Sequence, residues 1–185
     1  FQLTPLFRAL RSESCQLQSL SLRYLEEEDE DVVLEAFLDA LVKNKSLVRL
    51  EVLKMVLSDQ YWKDFVGAIS SHPSLRVLEF SEFDDSTEEE KVARTSAIAA
   101  MLSTNEQIDE IPFDDTIFNR AEYDSKVAPR LEYNLHRKRF RQIGRSAARR
   151  ALVGAALSKV NTNRSLIFLL VSQNHDLVAD VFRNR

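Results

Sequence analysis

Four segments of one pattern recur along the chain: LQSLSL at residues 17–22, LVRLEV at 47–52, LRVLEF at 75–80 and IDEIPF at 108–113. Each segment has apolar residues at its first, fourth and sixth positions, and successive segments start 30, 28 and 33 residues apart. A period of this size is typical of repeat proteins, in which each unit packs mainly against its neighbours. The pattern therefore predicts an array of similar units rather than one closed core.

A helix is predicted after each segment. In the first unit, apolar residues at positions 33, 36, 37, 40 and 41 have the spacing of a helix with one buried face. The second unit repeats this spacing from Trp62 to Ile69, and the third has an N-cap candidate at Ser86 or Thr87. A fourth helical pattern follows Tyr123, although Pro129 interrupts it.

The junctions between helix and strand also repeat. Polar turn residues separate each helix from the next segment, with Asn44, His72 and Asn105 each three residues before a segment begins. We interpret His72 as a turn residue that replaces the asparagine of its sister repeats. A doubly wound α/β domain would also alternate strands and helices, but it usually has Gly-rich strand-to-helix turns. None of the three glycines of this chain lies at such a turn, which favours the repeat array.

Over about residues 6–135 the units resemble leucine-rich repeats of the ribonuclease-inhibitor type. The resemblance implies a right-handed βα solenoid, a leucine-rich-repeat arc of about four parallel strands with outer helices. One position departs from the family. Eight residues after the first leucine the family usually has Asn or Cys, which bonds to the turn backbone; here that position holds Leu25, Met55, Phe83 and Thr116. We therefore expect that ladder of hydrogen bonds to be absent or rebuilt.

Two domains are predicted: a solenoid over residues 1–135 and a basic, helical C-terminal cap over 136–185. Pro112 would cost a central strand one ladder hydrogen bond, so the fourth strand is expected to be the last. The open end of an array must be covered, and two apolar stripes within residues 145–182 predict helices that do this.

Charge is unevenly distributed, although the whole chain has a net charge of only −4. Residues 135–185 contain 11 Lys or Arg and two Asp or Glu, whereas the preceding 134 residues contain 14 and 27.

No apolar run approaches the roughly 18 residues that a membrane helix needs. The single cysteine, Cys15, forms no internal disulfide, which favours a reducing, cytoplasmic location.

The candidate binding surface is the strand face that alternation turns away from the core. The predicted partner-binding residues on it are Arg23, Arg49, Glu51, Glu79 and Glu110. Acidic residues cluster after the strands, at 26–31, 84–90 and 114–115, and would extend this surface along one edge. The alternative interpretation is a solvated sheet face with solubilising loops.

A second candidate surface is basic. It comprises Arg137, Lys138, Arg139, Arg141, Arg145, Arg149 and Arg150. Such a segment can neutralise phosphates, but it contains one aromatic residue and matches no nucleic-acid-binding motif. Docking on the acidic edge of the same chain, binding a protein partner or anionic surface, and binding nucleic acid all stay open.

Neither catalysis nor a cofactor is indicated. The three histidines lie far apart in sequence, no Gly-rich phosphate loop or nucleophile motif is present, and the acidic runs lack the spacing of a calcium loop. We therefore predict a non-enzymatic scaffold or adaptor with no metal and no cofactor. It would bind a protein partner of unknown identity through the concave strand face, alone or as part of a larger assembly, with nucleic-acid or anionic-surface binding as the alternative.

Overall fold

A computed structural model of the protein describes residues 3–23, 30–54, 58–81, 86–142, 153–158 and 164–173. In chain order the first elements are α1 (Thr4–Leu10), β1 (Ser19–Arg23), α2 (Glu30–Lys43), β2 (Arg49–Leu53), α3 (Asp59–Ser70), β3 (Val77–Ser81) and α4 (Glu88–Thr104). They are followed by α5 (Arg120–Glu122), a π-helical turn (Tyr123–Val127), α6 (Ala128–Gln142), α7 (153–158) and α8 (Arg164–Gln173). From β1 to α4, strand and helix thus alternate as the sequence predicts.

The three strands form one parallel sheet in their sequence order. Leu20 pairs with Leu50, and Leu50 pairs with Leu78, so the second leucine of each predicted segment is in register across the sheet. Along each strand, buried residues alternate with exposed or half-buried ones. The first three predicted segments are therefore equivalent in structure as well as in sequence.

The helices pack in sequence order beside the sheet, α1 on α2, α2 on α3 and α3 on α4. Two of them begin at side-chain caps: the Ser58 hydroxyl accepts the N–H of Tyr61 at the start of α3, and Thr87 forms a capping box with Glu90 at the start of α4. Of the two N-cap candidates for α4, the structure selects Thr87. These caps fix where each helix starts relative to the strand before it.

One continuous hydrophobic core joins the units. A row of aromatic rings runs along it, with centroid separations of 6.4 Å between Phe37 and Phe65, 6.3 Å between Phe65 and Phe80, and 5.3 Å between Phe80 and Phe118. Each ring comes from a different repeat unit, so neighbouring units complete one another's core.

The fourth segment does not form a strand. It meets β3 through a single bridge between Val77 and Glu110, in which the N–H of Glu110 donates to the carbonyl of Arg76 and the N–H of Leu78 donates to the carbonyl of Glu110. The next donor in this register belongs to Pro112, which has no N–H. The predicted count of about four strands is therefore wrong for the described residues, where the sheet has three.

Pro129 lies at the second position of α6, directly after the π-helical turn. In that turn the N–H of Ala128 donates to the carbonyl of Tyr123, five residues back. A proline inside a regular helix clashes with the carbonyl four residues earlier, and a wider turn relieves that contact. The proline therefore sits inside a continuous helical segment without ending it.

Residues after the fourth segment cover the open end of the sheet. Ile117, Phe118, Tyr123, Val127 and Leu131 are all buried in the common core. The predicted cap over 145–182 lies partly outside the described residues; within it, Val153 is buried and α8 packs against α6. Helix α6 is continuous across the boundary predicted between residues 135 and 136, and that division stays a prediction.

Candidate functional site

The outward face of the sheet carries a cluster of ion pairs centred on Arg49. Its Nε lies 2.7 Å from Glu51 Oε1 and its Nη2 lies 2.9 Å from Glu79 Oε2. Because Glu51 and Glu79 are register partners on β2 and β3, one guanidinium joins two neighbouring strands. Three of the predicted partner-binding residues therefore form one cluster, which we call the Arg49 cluster.

The other two predicted residues flank this cluster. Arg23 ends β1 and is exposed, and Glu110 is exposed beside Val77 at the opposite edge. The hydrogen bond from Arg49 lowers the pKa of Glu51, with smaller contributions from the Ser21 hydroxyl and the positive charge of Arg23. The sequence thus identified five residues of one face, although it did not predict that their charges pair with each other.

Apolar surface accompanies the charges. Leu53 and Val77 occupy outward positions of β2 and β3 and are half-buried. Charged and aliphatic side chains therefore lie side by side on this face of the sheet.

Three of the described acidic residues near the strand ends have partners within the chain. Glu90 closes the capping box of α4, and the N–H of Thr87 lowers its pKa. Glu88 accepts a hydrogen bond of 3.0 Å from Asn119, and Asp114 Oδ1 accepts one of 2.8 Å from the N–H of Thr116. These carboxylates stabilise local structure, while residues 26–29 and 84–85 of the predicted acidic edge lie outside the described part of the chain.

The basic candidate surface is only partly within the described chain. The backbone positions of Arg137, Lys138, Arg139 and Arg141 belong to α6, and Arg145, Arg149 and Arg150 lie outside the described residues. Binding of nucleic acid or an anionic surface through this segment stays a prediction.

Sequence reasoning missed a row of buried polar side chains between the helices and the strands. Asn44 donates from Nδ2 to the carbonyl of Leu10 at 2.8 Å and accepts at Oδ1 from the N–H of Leu47 at 2.8 Å. Asn105 likewise donates to the carbonyl of Ile69 at 2.8 Å. Each asparagine joins the end of one helix to the following unit. Leu25, Met55 and Phe83, where the family has its ladder, lie outside the described residues, so its expected absence there stays a prediction.

His72 and Asn134 extend this row, which we call the junction ladder. His72 Nδ1 accepts the N–H of Leu75 at 3.1 Å, but within the described chain its buried Nε2 has no hydrogen-bond partner. Asn134 of α6 donates to the carbonyl of Ile108 at 2.7 Å. For Asn44, His72 and Asn105 the usable sequence signal was a polar residue three positions before a segment, but this signal predicted a turn and not the burial of the side chain.

No group of His, Cys, Asp and Glu in the described residues is arranged to hold a metal ion. Of the helices that the structure describes, none is both long and apolar enough to cross a membrane. The expected absence of a cofactor and of catalysis stays a prediction.

No protein-family model matches the sequence, and no curated protein matches it. A solved structure of a tropomodulin C-terminal domain from Caenorhabditis elegans is similar, with a TM-score of 0.51 and 17% sequence identity. The alignment covers 78% of this chain and 100% of that one. At this identity the likeness concerns the fold alone, and it supports a leucine-rich-repeat-like arrangement of the strands and helices.

Proposed function

We propose that the protein is a non-enzymatic interaction scaffold, a short leucine-rich-repeat-like solenoid that binds a protein partner on its outward strand face. The observation that carries this proposal is the Arg49 cluster, which lies beside the aliphatic surface of Leu53 and Val77. The leucines on the opposite side of the same strands are buried in a close-packed core, so the scaffold under this face is rigid.

The pairing of charges bears on how a partner would be recognised. Arg49 is held by two carboxylates, which limits the rotamers of all three side chains before any partner arrives. The three side chains are half-buried, and ion pairs that solvent still reaches contribute little to folding stability, so stability alone is a weak reason for this arrangement. A partner would have to match the order of charges across the strands, and a high opposite net charge would not be enough.

The test compares a charge reversal on the strand face with a charge reversal of the same size on the helices. The first variant carries Glu51→Lys and Glu79→Lys. The matched control carries Glu35→Lys and Asp64→Lys, which make the same change in net charge at exposed helix positions. Partners are captured from the native source by each purified protein and identified by mass spectrometry, after thermal melts show that both variants are folded.

The proposal predicts that the strand-face variant loses a protein that both the wild type and the control retain. Retention by both variants would remove the strand face from consideration. Equal loss from both would show that net charge, and not this face, governs the association. The cytoplasmic location stays a prediction that rests on the single free cysteine.

A further inference from the structure

A groove lies away from the strand face, between α4, the π-helical turn, the start of α6 and α8. Its volume is about 440 Å³, and its lining includes Ala99, Lys126, Arg130, Arg164 and Phe168. Helix α4 and three elements that follow residue 120 therefore form one concave surface, which we call the C-terminal groove.

The C-terminal groove is basic. Lys126, Arg130 and Arg164 line it, and no carboxylate lies among its described lining residues. Lys126 forms an ion pair with Glu122, one helical turn earlier. In the part of the chain that the structure describes, Arg130 and Arg164 pair with no acidic side chain, in contrast to Arg49 on the strand face.

The groove also exposes an aromatic side chain. Phe168 of α8 is 68% exposed and lies beside the two arginines in the lining. Water against a phenylalanine ring is unfavourable, and an apolar group of a ligand would replace that water. Ala99 and the buried Pro129 provide further apolar surface in the same groove.

We propose that the C-terminal groove binds an acidic peptide segment of a protein partner, one that carries a large apolar side chain. Carboxylates of this segment would pair with Arg130 and Arg164, whose planar guanidinium groups bind carboxylates in a bidentate arrangement. The apolar side chain would pack on Phe168. Nucleic acid gains its affinity from many phosphate contacts, and three cations in one groove provide few.

The direct test uses two fluorescein-labelled peptides rich in Asp and Glu. They are identical except that one has a central phenylalanine and the other a serine. Fluorescence anisotropy at near-physiological salt measures the dissociation constant of each peptide with the wild-type protein and its variants. We expect tighter binding of the phenylalanine peptide, and Phe168→Ser should remove most of this preference.

The cations are tested by Arg130→Glu combined with Arg164→Glu. The matched control is Arg8→Glu combined with Lys63→Glu, exposed positions on α1 and α3 that change the net charge by the same amount. The groove variant should weaken binding by at least about tenfold, the effect of losing one charge-assisted contact, and the control should stay close to wild type. Circular dichroism melts show whether each variant is folded.

Three results would overturn the proposal: unchanged affinity in the groove variant, an equal loss in the control, or equally tight binding of a single-stranded oligonucleotide. The variant with Arg23→Glu and Arg49→Glu separates this groove from the strand face, because these are the cations that an acidic peptide would contact there. It should bind the peptide as the control with Arg8→Glu and Lys63→Glu does, and loss of peptide binding there would place the peptide on the strand face instead.

Discussion

β2 and the segment 108–113 occupy equivalent places in the repeat, but only β2 continues as a strand. Leu50 and Ile111 are both buried in the common core, and at the next inward position Val52 is buried and Phe113 half-buried. The backbone differs, because Pro112 removes a donor that the ladder needs after Glu110. The comparison shows that the apolar side chains of the fourth segment pack in the common core although its backbone pairs with the sheet through a single bridge.

The substitution with the largest expected effect removes a ring that connects these two regions. The ring centroid of Phe80 lies 5.3 Å from that of Trp62 and 5.3 Å from that of Phe118, so this ring joins the regular units to the end of the array. Phe80→Ala should reduce the free energy of unfolding by about 4 kcal/mol, through lost transfer energy and a cavity. Urea unfolding measures the change, and the matched control Phe168→Ala should cost less than about 0.5 kcal/mol. A similar loss in both variants would contradict the shared core.

A smaller effect tests how α6 is held on the fourth segment. Asn134 donates to the carbonyl groups of both Ile108 and Asn105. Asn134→Ala leaves these buried carbonyls with fewer partners and should cost about 2 kcal/mol in urea unfolding. Gln107→Ala in the same turn is the control and should change stability by about 0.5 kcal/mol or less. A loss well below about 1 kcal/mol from Asn134→Ala would show that apolar contacts alone hold α6.

The junction ladder gives a prediction about pH. Burial lowers the pKa of His72 from its ordinary value of 6.5, so the folded protein favours the neutral imidazole. The unfolded chain then binds more protons in this range, and the stability that His72 contributes is lost as pH falls below 6.5 toward the folded pKa. His72→Asn should remove this loss and stabilise the fold by about 1 kcal/mol, because the amide can donate where Nε2 does not. Urea unfolding of both proteins between neutral and mildly acidic pH checks the slope, and parallel curves would contradict the assignment.

The substitution with the smallest expected effect would extend the hydrogen-bond ladder of β3 into the fourth segment. Pro112→Ala restores the missing N–H but frees the unfolded chain, so the two contributions offset and net stability should change by about 0.5 kcal/mol at most. Hydrogen exchange at the amide that this substitution introduces should be slow if the amide donates to the sheet. Exchange as fast as in an open loop would mean that something other than the missing donor ends the strand.

The sequence was sufficient to predict which strand residues face the core, since alternation and a fixed period determine which side chains are buried. It also located Arg49, Glu51 and Glu79 on one face. It did not show that Arg49 pairs with Glu79, because that contact depends on the register between strands, which a single strand does not specify. Nor did it show that Arg49 also pairs with Glu51, two residues along the same strand. Nor did it show the burial of Asn44 and Asn105, since a polar residue at a turn is usually exposed.

The missing fourth strand, at Pro112, could not be predicted from the sequence for a different reason. The sequence did suggest an edge position, because proline lacks a donor, but it could not show that the ladder stops after one bridge. That outcome depends on which side of Glu110 faces β3, and therefore on tertiary placement. Similarly, the C-terminal groove brings together residues from 99 to 168, and no local pattern indicates this assembly.

The most direct test of the central claim is site-specific photo-crosslinking. A benzophenone side chain is placed at Ser19, an exposed outward position of β1, or at Lys63, an exposed position of α3, and each protein is irradiated in extracts of the native source. If the strand face is the binding surface, Ser19 should crosslink a discrete protein that Lys63 does not capture. A discrete crosslink from Lys63 with none from Ser19 would contradict the account.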